Sequence, residues 1–270
     1  MTITTLKAIR LKPSTSPLKI GDACPTLEPT VTESCILLDP DGAQVGLFLK
    51  ELPKDLINLV TIADQELRSD RVPKDEMARP EPVTRADGTT DWQSKKVKQY
   101  STILGSCAPR PHLRMPYPRR SQVHSKKSAD TFIKAMLMAG KNCMGLVNHY
   151  IPDVYNRHLA KVEERLPRKW RFANHFSSTI SNCNIAAPIH QDNANIKGAI
   201  NLIITKRQNS TGGNLHVPDF DATFEQTNNS LLVYPAWRNR HGVTPIIPTH
   251  QGGYRNSHVW YALDSFANHG

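Results

Sequence analysis

His190 and Asp192 stand two positions apart as H-x-D, and His241 follows 49 residues after the aspartate. On an extended strand, residues i and i+2 point to one face, so both H-x-D side chains can reach a single metal ion. Two imidazoles and one carboxylate suit Fe(II) and leave three octahedral positions open for a cosubstrate and oxygen. An isolated H-x-D occurs by chance in many chains. Here its weight comes from the downstream HGV at His241 and from an arginine beyond it. That arginine, Arg255 in GGYRNS, lies fourteen residues after His241. Its planar fork can bind the distal carboxylate of 2-oxoglutarate bidentately, and the preceding glycines permit close approach. The competing reading makes Arg255 a strand-edge cation. A zinc hydrolase would need an activating glutamate near the ligands, and none stands beside His190 or His241.

Other polar residues fall around this set. Asn182 and Asn184 share the parity of His190, so on a continuous strand they face the iron side and reach the cosubstrate, although Pro188 interrupts the regularity. Asn201, among apolar neighbours, reads equally as a satisfied core amide or a site group. His250 rivals His241 as distal ligand; His241 is preferred because HGVTP starts a strand whereas His250 lies in a Gly-rich turn. His216, in GNLHVP, is expected to face the cavity and touch a substrate.

These residues need a scaffold, and the texture after Lys169 supplies one. WRFANHFSSTISNC, APIHQD, GAINLIITK, GNLHVPDF, SLLVYPAW, HGVTPIIP and YRNSHVWYALDSF read as short β-rich runs, with a turn signal at Asn209–Gly213. About eight short strands in roughly 100 residues suggest a double-sheet jelly roll. The expected class is α+β: a double-stranded β-helix (jelly-roll or cupin-like) core with flanking helices. Upstream, CILLDPDGAQVGLFLK predicts a strand pair and LPKDLINLVTIADQELR a helix, whereas 69–98 reads as a long charged loop. Ser128 is expected to cap a helix ending near Gly140, and PDVYNRHLAKVEERL predicts a second that stops before Pro167. The expected organisation is an N-terminal region, 1–100, packed on a catalytic core, 101–270.

Composition narrows the setting. The 270-residue chain carries a formal charge of +10, which favours an acidic partner such as nucleic acid or a membrane surface. Five scattered cysteines without a CxxC pair argue against a disulfide framework or zinc ribbon. The start lacks an apolar secretory run, and no segment approaches the roughly 18 apolar residues of a membrane span. A reducing cytoplasm or a nucleus is the expected location, with no membrane partner.

APIHQD-x-A-N, STGGNLHVP, HGVTP and GYRNS together resemble the TET/JBP group of 2-oxoglutarate/Fe(II) DNA-pyrimidine dioxygenases, over about Gly105 to Phe266. No Cys-rich insert is present, so the chain looks like a minimal member similar to those encoded by phages, acting in the cytoplasm of an infected host. The resemblance implies His190, Asp192 and His241 as iron ligands and catalytic centre, and Arg255 as 2-oxoglutarate anchor. It implies ascorbate as reductant in vitro, molecular oxygen as co-reactant and a monomeric enzyme. The implied reaction couples decarboxylation of 2-oxoglutarate to succinate with hydroxylation of a pyrimidine C5-methyl in DNA, 5-methylcytosine before thymine. A methyl group inside a duplex cannot reach a recessed metal, so the base must flip out. Arg110, Arg114, Arg119, Arg120, Lys126 and Lys127 are then candidates for phosphate contact, with Arg238 and Arg240 near the metal site. Trp237 or Tyr117 would stack on bases. The bland readings are a solvated cover for the basic loop and a core position for Trp237. Two rivals stand beside this function: a 2-oxoglutarate-dependent hydroxylase of a protein or small molecule, and an inactive nucleic-acid-binding module.

Overall fold

The computed structural model describes residues 5–84 and 90–270, with the side chains of residues 77–97 outside that description. In chain order the strands are β1 (Lys7–Arg10), β2 (Cys35–Leu38), β3 (Gln44–Leu49), β4 (Asp75–Thr84), β5 (Thr90–Cys107), β6 (Arg119–Arg120), β7 (Ser178–Cys183) and β8 (Asn201–Gln208). They continue with β9 (Ser210–Gly212), β10 (Leu215–Val217), β11 (Ala222–Phe224), β12 (Ser230–Tyr234), β13 (Gly242–Val243), β14 (Ile246–Pro248) and β15 (Tyr254–Tyr261). The helices are α1 (Lys54–Arg68), α2 (Asp130–Tyr150) and α3 (Pro152–Arg165).

The main sheet runs β1-β2-β3-β12-β8-β15-β7-β5-β4, with β6 on β5; a small sheet, β11-β10-β13, and the β14–β9 pair complete the set. Alternation along the central strands sorts side chains onto two faces. Leu202 and Ile204 of β8, with Leu231 and Val233 of β12, join one core with α1, α2 and α3. Ile203, Leu232 and Tyr234 turn the other way, onto Leu215, Val217 and Phe224 of the small sheet. The molecule is thus helices, main sheet and small sheet in layers, an α+β double-stranded β-helix.

Several elements depart from the expected ones. Residues 75–84 and 90–107 are antiparallel strands rather than loop, with Asp75 opposite Ser101; residues 85–89 lie outside the described residues. Pro80 and Pro82 argued against a strand, yet β4 is the edge of the sheet, where a missing N–H costs no ladder bond. The boundary expected at residue 100 falls inside β5, and β2 and β3 belong to the main sheet rather than packing onto it. α2 does not stop at Gly140. Apolar spacing continues through Cys143, Met144 and Val147, and the axis ends at Tyr150, before Pro152 opens α3. Ser128 donates its hydroxyl to the Arg71 carbonyl instead of capping α2, whose N-cap is Ala129. The turn expected over Asn209–Gly213 is split into a left-handed Asn209 and a left-handed Gly212–Gly213, because Ser210–Gly212 pairs with β14. Among the described residues no helix is long and apolar enough to cross a membrane, and all five cysteines are free.

Candidate metal and cosubstrate site

His190 and Asp192 do not lie in a regular strand. His190 forms an isolated antiparallel bridge with His241, each N–H donating to the other's carbonyl at 2.8 Å. The Asp192 N–H donates to the Ala236 carbonyl at 3.1 Å. These backbone bonds, rather than strand parity, bring the residues together: ligand-capable atoms of His190, Asp192 and His241 lie within 4.8 Å of one another. His190 Nε2 is 3.6 Å from Asp192 Oδ1. The imidazole rings stand 4.3 Å apart at 54°.

Each ligand is oriented by its unused atom. His190 Nδ1 lies 2.8 Å from the Pro188 carbonyl and His241 Nδ1 lies 3.1 Å from that of Asn239. A carbonyl can only accept, so both Nδ1 atoms carry a proton, which leaves the two Nε2 atoms to the cluster. Burial, then the neighbouring His190, holds the His241 pKa below its ordinary value, which keeps the ring neutral and able to ligate. Asp192 Oδ2 accepts from Asn201 Nδ2 at 3.0 Å and Asn195 Nδ2 at 3.3 Å, which turns Oδ1 toward the histidines. Asn201 therefore positions a carboxylate; Asn195, the last residue of the APIHQD-x-A-N motif, was given no role in the sequence because an amide in an irregular segment carries no spacing signal. His250 lies in an exposed turn with Thr249 beside its ring, away from the cluster.

The cluster opens onto a cavity of about 570 Å³ between the main and small sheets. Alternation on β15 sends Arg255, Ser257, Val259 and Tyr261 into this cavity, and sends Asn256, His258 and Trp260 to the opposite face. Arg255 is 2% exposed. Its guanidinium donates to Gln226 Oε1, its Nε has no partner, and among the described residues no carboxylate pairs with it. Burial and the nearby Arg207 push its pKa down to about 9, which still leaves it a cation at neutral pH. Gly213 makes room for it, since a Cβ there would stand 3.3 Å from Arg255 Cδ and Nε.

Asn182 lines the cavity opposite Ser257. Asn184 does not. Its backbone turns left-handed at φ 54°, and its Oδ1 accepts the Arg255 N–H at 2.9 Å while its Nδ2 donates to the Lys98 carbonyl at 3.1 Å. The parity argument failed at Asn184, before Pro188 was reached; the residue steers the backbone of Arg255 instead. His216 also fails to reach the cavity. It is buried between strands of the small sheet with Nδ1 2.9 Å from Thr223 Oγ1.

The basic segment divides into free and engaged cations. β5 and β6 form a short stem, and Arg110 to Tyr117 are all exposed above it, with Leu113 at 52% and Tyr117 at 75%. Arg110, Arg114, Arg119, Lys126 and Lys127 reach solvent there. Arg120 is engaged: it donates to Ser106 Oγ at 2.8 Å and to the Lys169 carbonyl. Arg240 is tied to Asp219 by an Nε–Oδ1 bond of 2.8 Å and to the Leu18 carbonyl. Arg238 is at the surface, 3.3 Å from Asp39. Trp237 is half-buried and donates Nε1 to the Ala199 carbonyl at 2.8 Å, while its own carbonyl accepts from Gln191.

The donor set fits a divalent ion of the Fe(II) class: two imidazoles, one carboxylate oxygen and an open cavity beyond. No family model matches the sequence, and no curated protein matches it. Solved structures do. NgTET1, in complex with 5mC DNA, superposes over 92% of this chain and 85% of its own, with a TM-score of 0.58 and 16% identity. A 2OG-Fe(II) oxygenase family oxidoreductase from Burkholderia pseudomallei matches over 80% of this chain and 84% of its own, at TM-score 0.42 and 12% identity. OsALKBH1 matches over 87% and 99% respectively, at TM-score 0.39 and 12% identity. The fold is that of NgTET1.

Proposed function

We propose that the chain is a 2-oxoglutarate/Fe(II)-dependent dioxygenase that hydroxylates the C5-methyl of a pyrimidine in DNA, with 5-methylcytosine the first substrate and thymine the second. The observation that carries the proposal is the pairing of the His190–Asp192–His241 cluster with a buried, carboxylate-free Arg255 in one cavity. Nε2 of His190 and His241 and Oδ1 of Asp192 would hold Fe(II). Arg255 would take the distal carboxylate of 2-oxoglutarate, and Asn182 and Ser257 lie along the wall between. Bound there, the ion and cosubstrate supply the oxidising power for an unactivated methyl group. The chain's own part is to fix both, hold the His241 pKa down by burial and exclude bulk water with Ile180, Leu215 and Val243.

DNA as the substrate is supported by the exposed Arg110–Tyr117 loop with Arg110 and Arg114, by exposed Arg119 just beyond it, by the +10 charge, and by a fold shared with a protein seen bound to 5mC DNA. Exposed Tyr117 has the aromatic face to stack on a base beside a flipped one. The deciding experiment incubates methylated DNA with protein, Fe(II), 2-oxoglutarate and ascorbate, then quantifies nucleosides by mass spectrometry. Hydroxymethyl-pyrimidine is expected; none from either 5-methylcytosine or thymine DNA would sink the reading. The internal use of Arg120 and Arg240 thins the cationic set and favours a second reading, a hydroxylase of a protein or small molecule. Succinate release with peptide and not with DNA would select it.

A further inference from the structure

The inner end of the cavity holds a residue that neither its spacing nor its neighbours in sequence mark out. Gln226 follows β11 and is wholly buried. Its backbone is fixed at both ends: the N–H donates to Asn214 Oδ1 at 3.0 Å, and the carbonyl accepts from Arg207 at 3.2 Å. Its side chain lines the cavity beside Arg255.

The orientation of this amide is forced. Arg255 has donors only, so the atom facing its guanidinium must be Oε1, and the NH₂ group must be the free end. Among the described residues that Nε2 has no partner, and neither does Arg255 Nε. Buried donors are normally satisfied, so two orphans side by side on one cavity wall mark the place of a missing acceptor. The acceptor is anionic, because Arg207 and Arg255 lie close together, Arg207 being spent on the carbonyls of Ser210, Gly212 and Gln226.

We infer that Gln226 is the second half of the distal-carboxylate cradle: Arg255 Nε takes one carboxylate oxygen and the Gln226 amide takes the other. Gln226 also holds the guanidinium in plane through Oε1, so it sets both the affinity for 2-oxoglutarate and the discrimination against acids that lack a distal carboxylate. The inference rests on the function proposed above.

Anaerobic titration calorimetry of the Fe(II)-loaded protein tests it, with 2-oxoglutarate and with oxalate, which reaches the metal but has no distal carboxylate at Arg255. Gln226→Leu is expected to weaken 2-oxoglutarate about tenfold or more, the loss of a hydrogen bond to a charged group, and to leave oxalate binding unchanged. Gln226→Glu keeps the side chain's size, so it guards against a misfolded variant. Its carboxylate would pair with Arg255 and repel the ligand, and a larger selective loss is expected. Equal weakening of both ligands, or no change in either, would overturn the inference while leaving the proposed function standing. Wild-type protein that binds oxalate but not 2-oxoglutarate would bring down the proposed function, and the Gln226 role with it.

Discussion

Asp192 shows how much of a metal site is decided by groups that never touch the metal. Asn195 and Asn201 occupy Oδ2, leaving Oδ1 to the cluster. Replacing Asn201 by Ala is expected to weaken Fe(II) binding by about 10–100-fold, as for other residues that orient a ligand, read by competition with a chromophoric chelator. An unchanged affinity would assign Asn201 to the core alone. His241→Ala is expected to abolish both metal binding and turnover, while His250→Ala spares both; the reverse result would exchange the two histidines. The ligand types were legible in the sequence, since H-x-D and a later histidine suffice to name the chemistry. The orienting amides were not. An asparagine that serves a carboxylate and one that serves a core look alike until the fold closes. Two further histidines carry a pH signature. Burial holds His158 down to about 3 and His258 down to about 4, from an ordinary value of 6.5. Between those limits the unfolded chain binds protons that the native protein refuses, so stability is expected to fall as pH drops below about 6.5, by up to about 1.4 kcal/mol per pH unit for each ring. Urea midpoints at several pH values check this. The slope should flatten in His258→Asn, and a slope that stays unchanged in that variant would count against it.

Among the elements, α2 and β4 show what was harder to read from the sequence. Gly140 looked like a helix stop, but it is the point at which α2 passes against buried Trp260. A Cβ there would stand 2.7 Å from Trp260 Nε1, whereas one at Gly145 on the same helix meets nothing within 4 Å. Gly145→Ala should therefore stabilise by about 0.5–1 kcal/mol through backbone entropy. Gly140→Ala should destabilise, because overpacking of about 1–3 kcal/mol exceeds the same gain. Equal shifts in the two urea midpoints would refute the packing role of Gly140. β4 was illegible for a related reason: its prolines are forbidden in a central strand and harmless at an edge, and edge position is a property of the assembled sheet. The short β-rich runs of β8, β12 and β15, by contrast, are local features of the sequence, and the jelly-roll class followed from the number of such runs and the turn signals between them.

At the scale of the whole molecule, charge alone does not say which cations meet a partner. Arg114 and Arg119 are exposed, while Arg120 and Arg240 are spent on Ser106, Lys169, Asp219 and Leu18. Arg114→Ala and Arg119→Ala are expected to weaken DNA binding at all sequences and to lower the salt slope by about 1 each. Arg240→Ala should act mainly on thermal stability. Fluorescence anisotropy across a KCl series separates the two, and an Arg240→Ala slope change equal to that of Arg114→Ala would contradict the division. The fold also ties ligands that are remote in the chain, since His190 and His241 hold each other's amides in a bridge outside any named strand. A bridge of two bonds opens more readily than a ladder, yet an ion gripped by both rings would have to leave before it could open. Deuterium uptake at those two amides thus becomes a reporter of occupancy that needs no substrate and no turnover. Exchange should be slow with a divalent ion bound and fast after chelation, while the β15 amides between β7 and β8 keep one rate in both.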